Sequence, residues 1–341
     1  MDSKRNETAA RVKTALKVAV ACNIKKNETA GQFDSAAEFD DYGTVCAIMK
    51  ALRTGNREVS LIEAEKEFPL KIAETEPDIV FNIAEGMNGA GREARVPAIL
   101  NHLGIPFTGS DEVTMCLALD KALTKRLLST YRIATPNYKT TGENTRFSAA
   151  GLSWPVIVKP NCEGSSMGIT DRSIARDEDE LFEILNRNAG QYNRETLVEE
   201  YIPGREFTVG ILGNGKETRV FPPMEIIFKD AGNGVYGFDV KKDFKKYIEY
   251  KCPPLLDKSK IAEIEKTALK IFSVMRCRDC ARVDFRLSPE GKLYFIEINP
   301  LPGLAPGYSD FPMIAEFCGM DYDALIRNIL NCALKRYNIT N

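Results

Sequence analysis

The stretch Cys280 to Gly303, CARVDFRLSPEGKLYFIEINPLPG, constrains the fold more than any other, because it demands two adjacent strands that carry charge where a plain core has none. In ARVDFRL, alternation sets Arg282, Asp284 and Arg286 on one face and Val283, Phe285 and Leu287 on the other. In LYFIEIN, the same period sets Leu293, Phe295, Glu297 and Asn299 together, with Tyr294, Ile296 and Ile298 behind them. Ser288-Pro289-Glu290-Gly291 between the runs reads as a turn. If Leu287 pairs with Lys292, Arg282 lies opposite Glu297, Asp284 sits one diagonal step away and Asn299 joins them at the strand end.

Two carboxylates and an amide oxygen are too few to cage a metal alone. They suit Mg²⁺, which keeps waters and shares its octahedron with substrate phosphates, so the expected ligand is a nucleotide with magnesium. The plainer alternative is an Arg282–Glu297 cross-strand ion pair with Asp284 solvated. That alternative must also account for Asn299-Pro300-Leu301-Pro302-Gly303, a rigid exit ending in a glycine able to bring its N–H close to a ligand.

Length and charge narrow the classes. A chain of 341 residues has room for two or three domains, and Lys+Arg 46 against Asp+Glu 48 leaves a formal charge of -2, so no overall field favours nucleic acid or a membrane surface. With no long apolar run and a polar start, MDSKRNETAARVKT, the expectation is a cytoplasmic protein with neither nucleic acid nor membrane as partner. Nine scattered cysteines read as reduced thiols. Cys277-Arg278-Asp279-Cys280 lacks the further ligands of a zinc site, the chain having one histidine, His102, and no second CxxC. Two structural thiols are therefore expected there, and helix C-terminal packing for His102 before Gly104.

Along the chain, residues 1–14 form a charged tail without apolar period. LKVAVA, EVSLIEA and DIVFN then alternate with helical stretches (one from Ser35 to Leu52), which is the pattern of a parallel α/β sheet. The turn after the first strand is not GxGxxG, so a dinucleotide-binding reading loses its main support. Glu85 to Gly91, EGMNGAG, is a glycine-rich loop at the carboxyl end of the third strand, where open α/β sheets bind ligands. Leu117 to Leu128 reads as one helix carrying Asp120, Lys121 and Lys125. WPVIVKP is a strand ending at Lys159, and Glu163-Gly164-Ser165-Ser166-Met167-Gly168 after it is either a phosphate-wrapping loop or a bare hairpin turn. TLVEEYI is a strand running into a connector with Glu199 and Glu200 at the crossing. Lys229 to Lys251, with Lys241 and Lys242, is too polar for core and reads as a lid over phosphates or an insert. Ile261–Val274 and the stretch from Phe311 to Tyr337 are helical.

In this order, the Asp-Lys pair at 120–121, VKPNCEGSSMG, VEEYIPGREFTVG, ARVDFRL and EINPLPGL resemble the D-alanine–D-alanine ligase family of the ATP-grasp superfamily, over roughly residues 80–335. The resemblance implies α/β plus α+β architecture: an N-terminal parallel-sheet domain at 15–110, a central lobe at 111–204 and a C-terminal lobe at 205–341, with ATP held between the lobes. It implies that Lys121 and Lys159 contact nucleotide phosphates, that Gly164, Ser165, Ser166 and Gly168 fold over them, and that Glu199, Glu200, Ile202 and Glu206 line the adenine and ribose site. Asp284, Glu297 and Asn299 would hold magnesium, two ions with Mn²⁺ as an alternative; Arg282 and the N–H of Gly303 would stabilise an oxyanion; Lys241 would reach the γ-phosphate. Ser165 and Ser309 would help hold substrate. The implied chemistry is phosphorylation of a carboxylate by ATP and attack of an amine on the acyl phosphate, in a homodimeric enzyme for which a specialised amino-acid pair and a turnover-free nucleotide binder are the competing readings. Three departures concern the amino acids: Glu38 is only an approximate counterpart of the glutamate expected for the first amine, Glu85-Gly86 stands where the family has His-Gly, and Lys242 stands where tyrosine is usual.

Overall fold

A computed structural model describes residues 15–25, 39–87, 89–141, 147–162, 173–189, 195–229 and 248–340. The first sheet is parallel, with β1 (Leu16–Cys22) between β2 (Arg57–Glu63) and β3 (Ile79–Asn82). Its helices are α1 (Tyr42–Leu52), α2 (Phe68–Thr75) and α3 (Arg95–Leu103). The apolar run Val18 to Cys22 within β1 follows from cover on both faces. Val18 and Val20 pack with Val45 and Ile48 of α1, whereas Ala19 and Ala21 pack with Phe68 and Ile72 of α2 and Leu100 of α3. His102 lies in the last turn of α3, which Gly104 ends at φ 69°.

The expected single helix at 117–128 is two. α4 (Glu112–Leu119) and α5 (Lys121–Thr130) break at Asp120, whose extended backbone (φ -85°, ψ 99°) and carboxylate, accepting from Leu123 N–H at 2.9 Å, start α5 afresh. A four-stranded sheet follows in the order β4 (Tyr138–Thr140), β7 (Thr196–Glu200), β5 (Val156–Pro160), β6 (Ile174–Ala175), with α6 (Glu178–Ala189) packed on it.

The largest sheet has the order β11 (Ile248–Lys251), β10 (Met224–Phe228), β8 (Arg205–Leu212), β12 (Cys280–Leu287), β13 (Leu293–Asn299), with β9 (Arg219–Val220) on β8. The loop expected across 229–251 therefore ends early, since Ile248–Lys251 is an edge strand that buries only Ile248 and leaves Glu249 exposed. On one face, α7 (Lys258–Val274) packs Ile264, Ala268 and Ile271 against Phe207, Val283, Phe285 and Phe295, joined by Ala118 of α4 and Leu128 of α5. The helical C-terminal stretch is also two helices, α8 (Asp310–Phe317) and α9 (Tyr322–Arg336), parted at Gly319 with φ 77°. α8 crosses the other face where β8 has Gly210, a position at which any Cβ would lie 2.7 Å from the Phe311 ring. α9 and α1 share one core with β1, so the first sheet and the last helices are built together.

Both CxxC sulfurs are buried, and burial pushes the Cys277 thiol up to about 12 and that of Cys280 well above its ordinary value, as expected of structural thiols. Among the described residues no helix is long and apolar enough to cross a membrane.

Candidate active site

The face of β12 and β13 turned away from α7 carries the expected charges, but in a different register. Leu287 pairs with Leu293, not Lys292; Arg282 pairs with Asn299, and Asp284 stands directly opposite Glu297. Two local devices produce the shift. Ser288 N–H donates to the Lys292 carbonyl and Gly291 N–H to the Ser288 carbonyl, each at 2.9 Å, with Gly291 at φ 82°; this three-residue hairpin advances the pairing by one. A bulge between Asp284 and Phe285 advances it by one more, because Phe285 pairs with Phe295 while Asp284 pairs with Glu297, leaving Ile296 as the extra residue. Phe295 consequently faces the core at 1% exposure while Glu297 and Asn299, read from the sequence as its face-mates, turn to the cleft.

Arg282 closes on Asp284 through Nε (3.1 Å) and Nη2 (2.9 Å), and Thr208 Oγ1 donates to Asp284 Oδ1 at 2.6 Å. Asn299 Nδ2 lies 3.4 Å from Asp284 Oδ2. Glu297 stands 4.0 Å from Arg282 and 3.8 Å from Lys121, and Asp310 stands 3.8 Å from Arg282. The plain Arg282–Glu297 pair with a solvated Asp284 is thus not what forms. Burial, with the Glu297 charge adding to it, raises the Asp284 pKa against the pull of Arg282. Arg282 is held more firmly charged than usual: burial opposes it, but Asp284, Asp310 and Glu297 outweigh burial.

Like charges directly opposite on neighbouring strands repel, so the Asp284–Glu297 pair invites a cation between its members. Among the described residues no group of three or more His, Cys, Asp or Glu could hold a metal. Two carboxylates and the Asn299 amide fit instead an ion that takes its remaining ligands from water and phosphate, which is the habit of Mg²⁺.

Beside these acids, Lys121 opens α5, while Lys159 lies on β5 and Glu199 on β7. Glu199, 1% exposed, meets Lys159 at 2.5 Å and Lys125 at 2.9 Å. Burial alone would raise its pKa, yet the two lysines bring it down to about 2. The next residue on the strand points the other way: Glu200 accepts from Asn137 Nδ2 at 2.9 Å and Ser153 N–H at 2.8 Å. Ile202 is buried, and Glu206 lies cross-strand from Arg286, their side chains 3.3 Å apart. Sequence reasoning gave no role to Lys125, Thr208, Arg286 or Asp310. Lys125 was findable as the residue one helical turn past Lys121, and Arg286 as the third member of the alternating face; Thr208 and Asp310 carried no local signal.

Gly86 after Glu85 has φ 74°, and a Cβ there would fall 2.2 Å from the Arg92 carbonyl oxygen, so glycine is required. Asn23 Oδ1 accepts from Gly86 N–H at 2.8 Å, and Arg92 donates to the Cys162 carbonyl at 2.7 Å, tying this loop to the end of β5. Ser309 Oγ accepts from Ala305 N–H at 3.1 Å and lies beside Gly303, 2.8 Å from where a Cβ would stand. Glu38, Gly164, Ser165, Ser166, Gly168, Lys241 and Lys242 lie outside the described residues.

Comparison with known proteins bears on the family and the fold. A family model described as D-ala D-ala ligase C-terminus matches residues 129–331. The chain is 36% identical over 285 residues to a D-alanine–D-alanine ligase of Aquifex aeolicus, covering 83% of this chain and 92% of the relative. Its fold matches the ATP-complexed D-alanine–D-alanine ligase of Bacillus anthracis with a TM-score of 0.74 at 22% identity, over 95% and 99% of the two chains. The VanG D-Ala:D-Ser ligase of Enterococcus faecalis matches with a TM-score of 0.70 at 22% identity, over 94% and 99%. On the family model and the Aquifex relative together, the chain belongs to the D-alanine–D-alanine ligase family.

Proposed function

We propose that the protein is an ADP-forming, ATP-dependent ligase that joins the carboxylate of one amino acid to the amine of a second, with D-alanine as the first candidate for both. The observation that carries this reading is the convergence of Asp284, Glu297 and Asn299 with Lys121 and Arg282 on one cleft. The sheet domain at 15–110 would bring amino-acid contacts through Glu85, and the lobes at 111–204 and 205–341 would supply the nucleotide and metal contacts. The enzyme is expected to work as a homodimer, with a part in peptidoglycan biosynthesis following from its family.

Lys121 and Lys159 neutralise phosphate oxygens, so a substrate carboxylate can approach the γ-phosphorus; the carboxylate–phosphorus bond forms as the bond to ADP breaks. Mg²⁺ bound by Asp284, Glu297 and Asn299 would spread charge over the moving phosphoryl group. The amine of the second amino acid then attacks the acyl carbon, the bond from that carbon to the phosphate oxygen breaks, and the proton lost from nitrogen passes to the departing phosphate. Arg282 and the N–H of Gly303 are the donors for the oxyanion of that step, and they work because they are fixed before the charge develops. Apart from water exclusion, no covalent help from the protein is needed.

The test is ATP-dependent phosphate release over pairs of D- and L-amino acids, with D-serine in the acceptor panel. Release that requires two amino acids and yields a dipeptide is expected. ATP turnover indifferent to every pair would contradict the ligase reading.

A further inference from the structure

Lys125 sits four residues beyond Lys121 on α5, so both ammonium groups leave the helix on the same side. Lys121 lies 3.8 Å from Glu297, whereas Lys125 turns further inward and is 1% exposed. An ammonium taken out of water is strongly destabilising unless its surroundings replace the lost hydration. Three contacts do so: Glu199 Oε2 at 2.9 Å, the Ile296 carbonyl at 3.4 Å, and the Phe295 ring with its centroid 5.7 Å away.

These contacts come from two different sheets. Glu199 belongs to β7 and also grips Lys159 at 2.5 Å. Phe295 and Ile296 belong to β13 and form the bulge at which that strand changes face. A bulge leaves its extra residue unpaired in the ladder, so the Ile296 carbonyl takes a donor from elsewhere. Were β13 to run straight, Glu297 would follow Phe295 into the apolar layer and the acidic face would lose a member.

Resting on the ligase reading, we propose that Lys125 is a positioning residue with two arms. Through Ile296 it fixes the bulge that aims Glu297 and Asn299 at the cleft, and through Glu199 it fixes Lys159 on the phosphate side. One buried cation thus sets the distance between the cation-binding strand and the nucleotide-binding lysine. An ion pair serving stability alone would need only the Glu199 arm.

The experiment compares wild type with Lys125→Met, which keeps length and loses charge. Mn²⁺ binding is followed by electron paramagnetic resonance at saturating non-hydrolysable ATP analogue, with the thermal midpoint and the KM for ATP measured alongside. The expected result is folded protein whose Mn²⁺ affinity falls about 10-fold, the scale of losing a group that orients a metal ligand, together with a raised KM for ATP. A lysine of merely structural importance would lower the midpoint and leave the Mn²⁺ affinity of the folded protein untouched, which would overturn the proposal. If Lys125→Met does not accumulate because Glu199 is left as a lone buried charge, Lys125→Met with Glu199→Gln removes the pair together. The same 10-fold weakening is then expected, and wild-type affinity would overturn the proposal. Wild-type protein that takes up no Mn²⁺ would overturn the ligase reading and this proposal together, an outcome distinct from a variant that binds like wild type.

Discussion

The strand β12 serves two buried Arg–Asp clusters that have opposite bookkeeping. Just before the strand, Asp279 is fully buried, yet every oxygen is satisfied. Its carboxylate accepts from Gly109 N–H (2.8 Å), Asn214 Nδ2 (2.6 Å) and Arg336 (2.7 and 3.3 Å), and Arg336 also donates to the Phe107 and Gly109 carbonyls. The knot joins the end of the first sheet domain, the β8–β9 turn and the end of α9. Three residues on, Arg282 faces Asp284, Glu297 and Asp310 together, and Asp310 Oδ1 is buried with no hydrogen-bond partner among the described residues. Where buried charge is balanced and saturated, the cluster holds domains together; where, among the described residues, carboxylates outnumber the cations, a positive ligand would restore the balance.

Arg336→Met should have the largest effect. It strands Asp279 without its cation and is expected to cost about 3–5 kcal/mol of unfolding free energy, read by urea denaturation, with KM for ATP unchanged in the folded fraction. Stability equal to wild type would erase the contrast between the clusters. Asp284→Asn should do the reverse, lowering kcat by about 100-fold or more in phosphate release while the urea midpoint stays near that of wild type. A third cluster sharpens the comparison through pH. Glu199 is held at about 2 against an ordinary 4.5, so its unfolded form binds more protons between those values. The stability it contributes is present above pH 4.5 and is lost as pH falls toward 2. Urea midpoints should therefore drop on acidification, and Glu199→Gln should flatten that slope.

Much of this was legible in the sequence. Alternation in ARVDFRL put Arg282 and Asp284 on one face, and the apolar runs of β1 and β3 announced a covered parallel sheet. What escaped depended on partners far along the chain or on backbone irregularity. The bulge at Ile296 has no residue signature, so period two wrongly kept Phe295 with Glu297. β11 escaped because an edge strand with one buried residue looks like loop. Asp120 did carry a readable signal, an N-cap residue directly before Lys121, and weighing it would have split α4 from α5. Lys125 and Asp310 gain their meaning only from residues more than a hundred positions or a whole strand away, such as Ile296 and Arg282.

In the proposed enzyme, Asp284, Glu297 and Asn299 would hold a divalent cation against ATP. Titration calorimetry of Mn²⁺ into wild type and Asp284→Asn, each saturated with non-hydrolysable ATP analogue, tests it most directly. The predicted result is a saturable site in wild type that is at least about 10-fold weaker in the variant; equal affinity in the two proteins would contradict it.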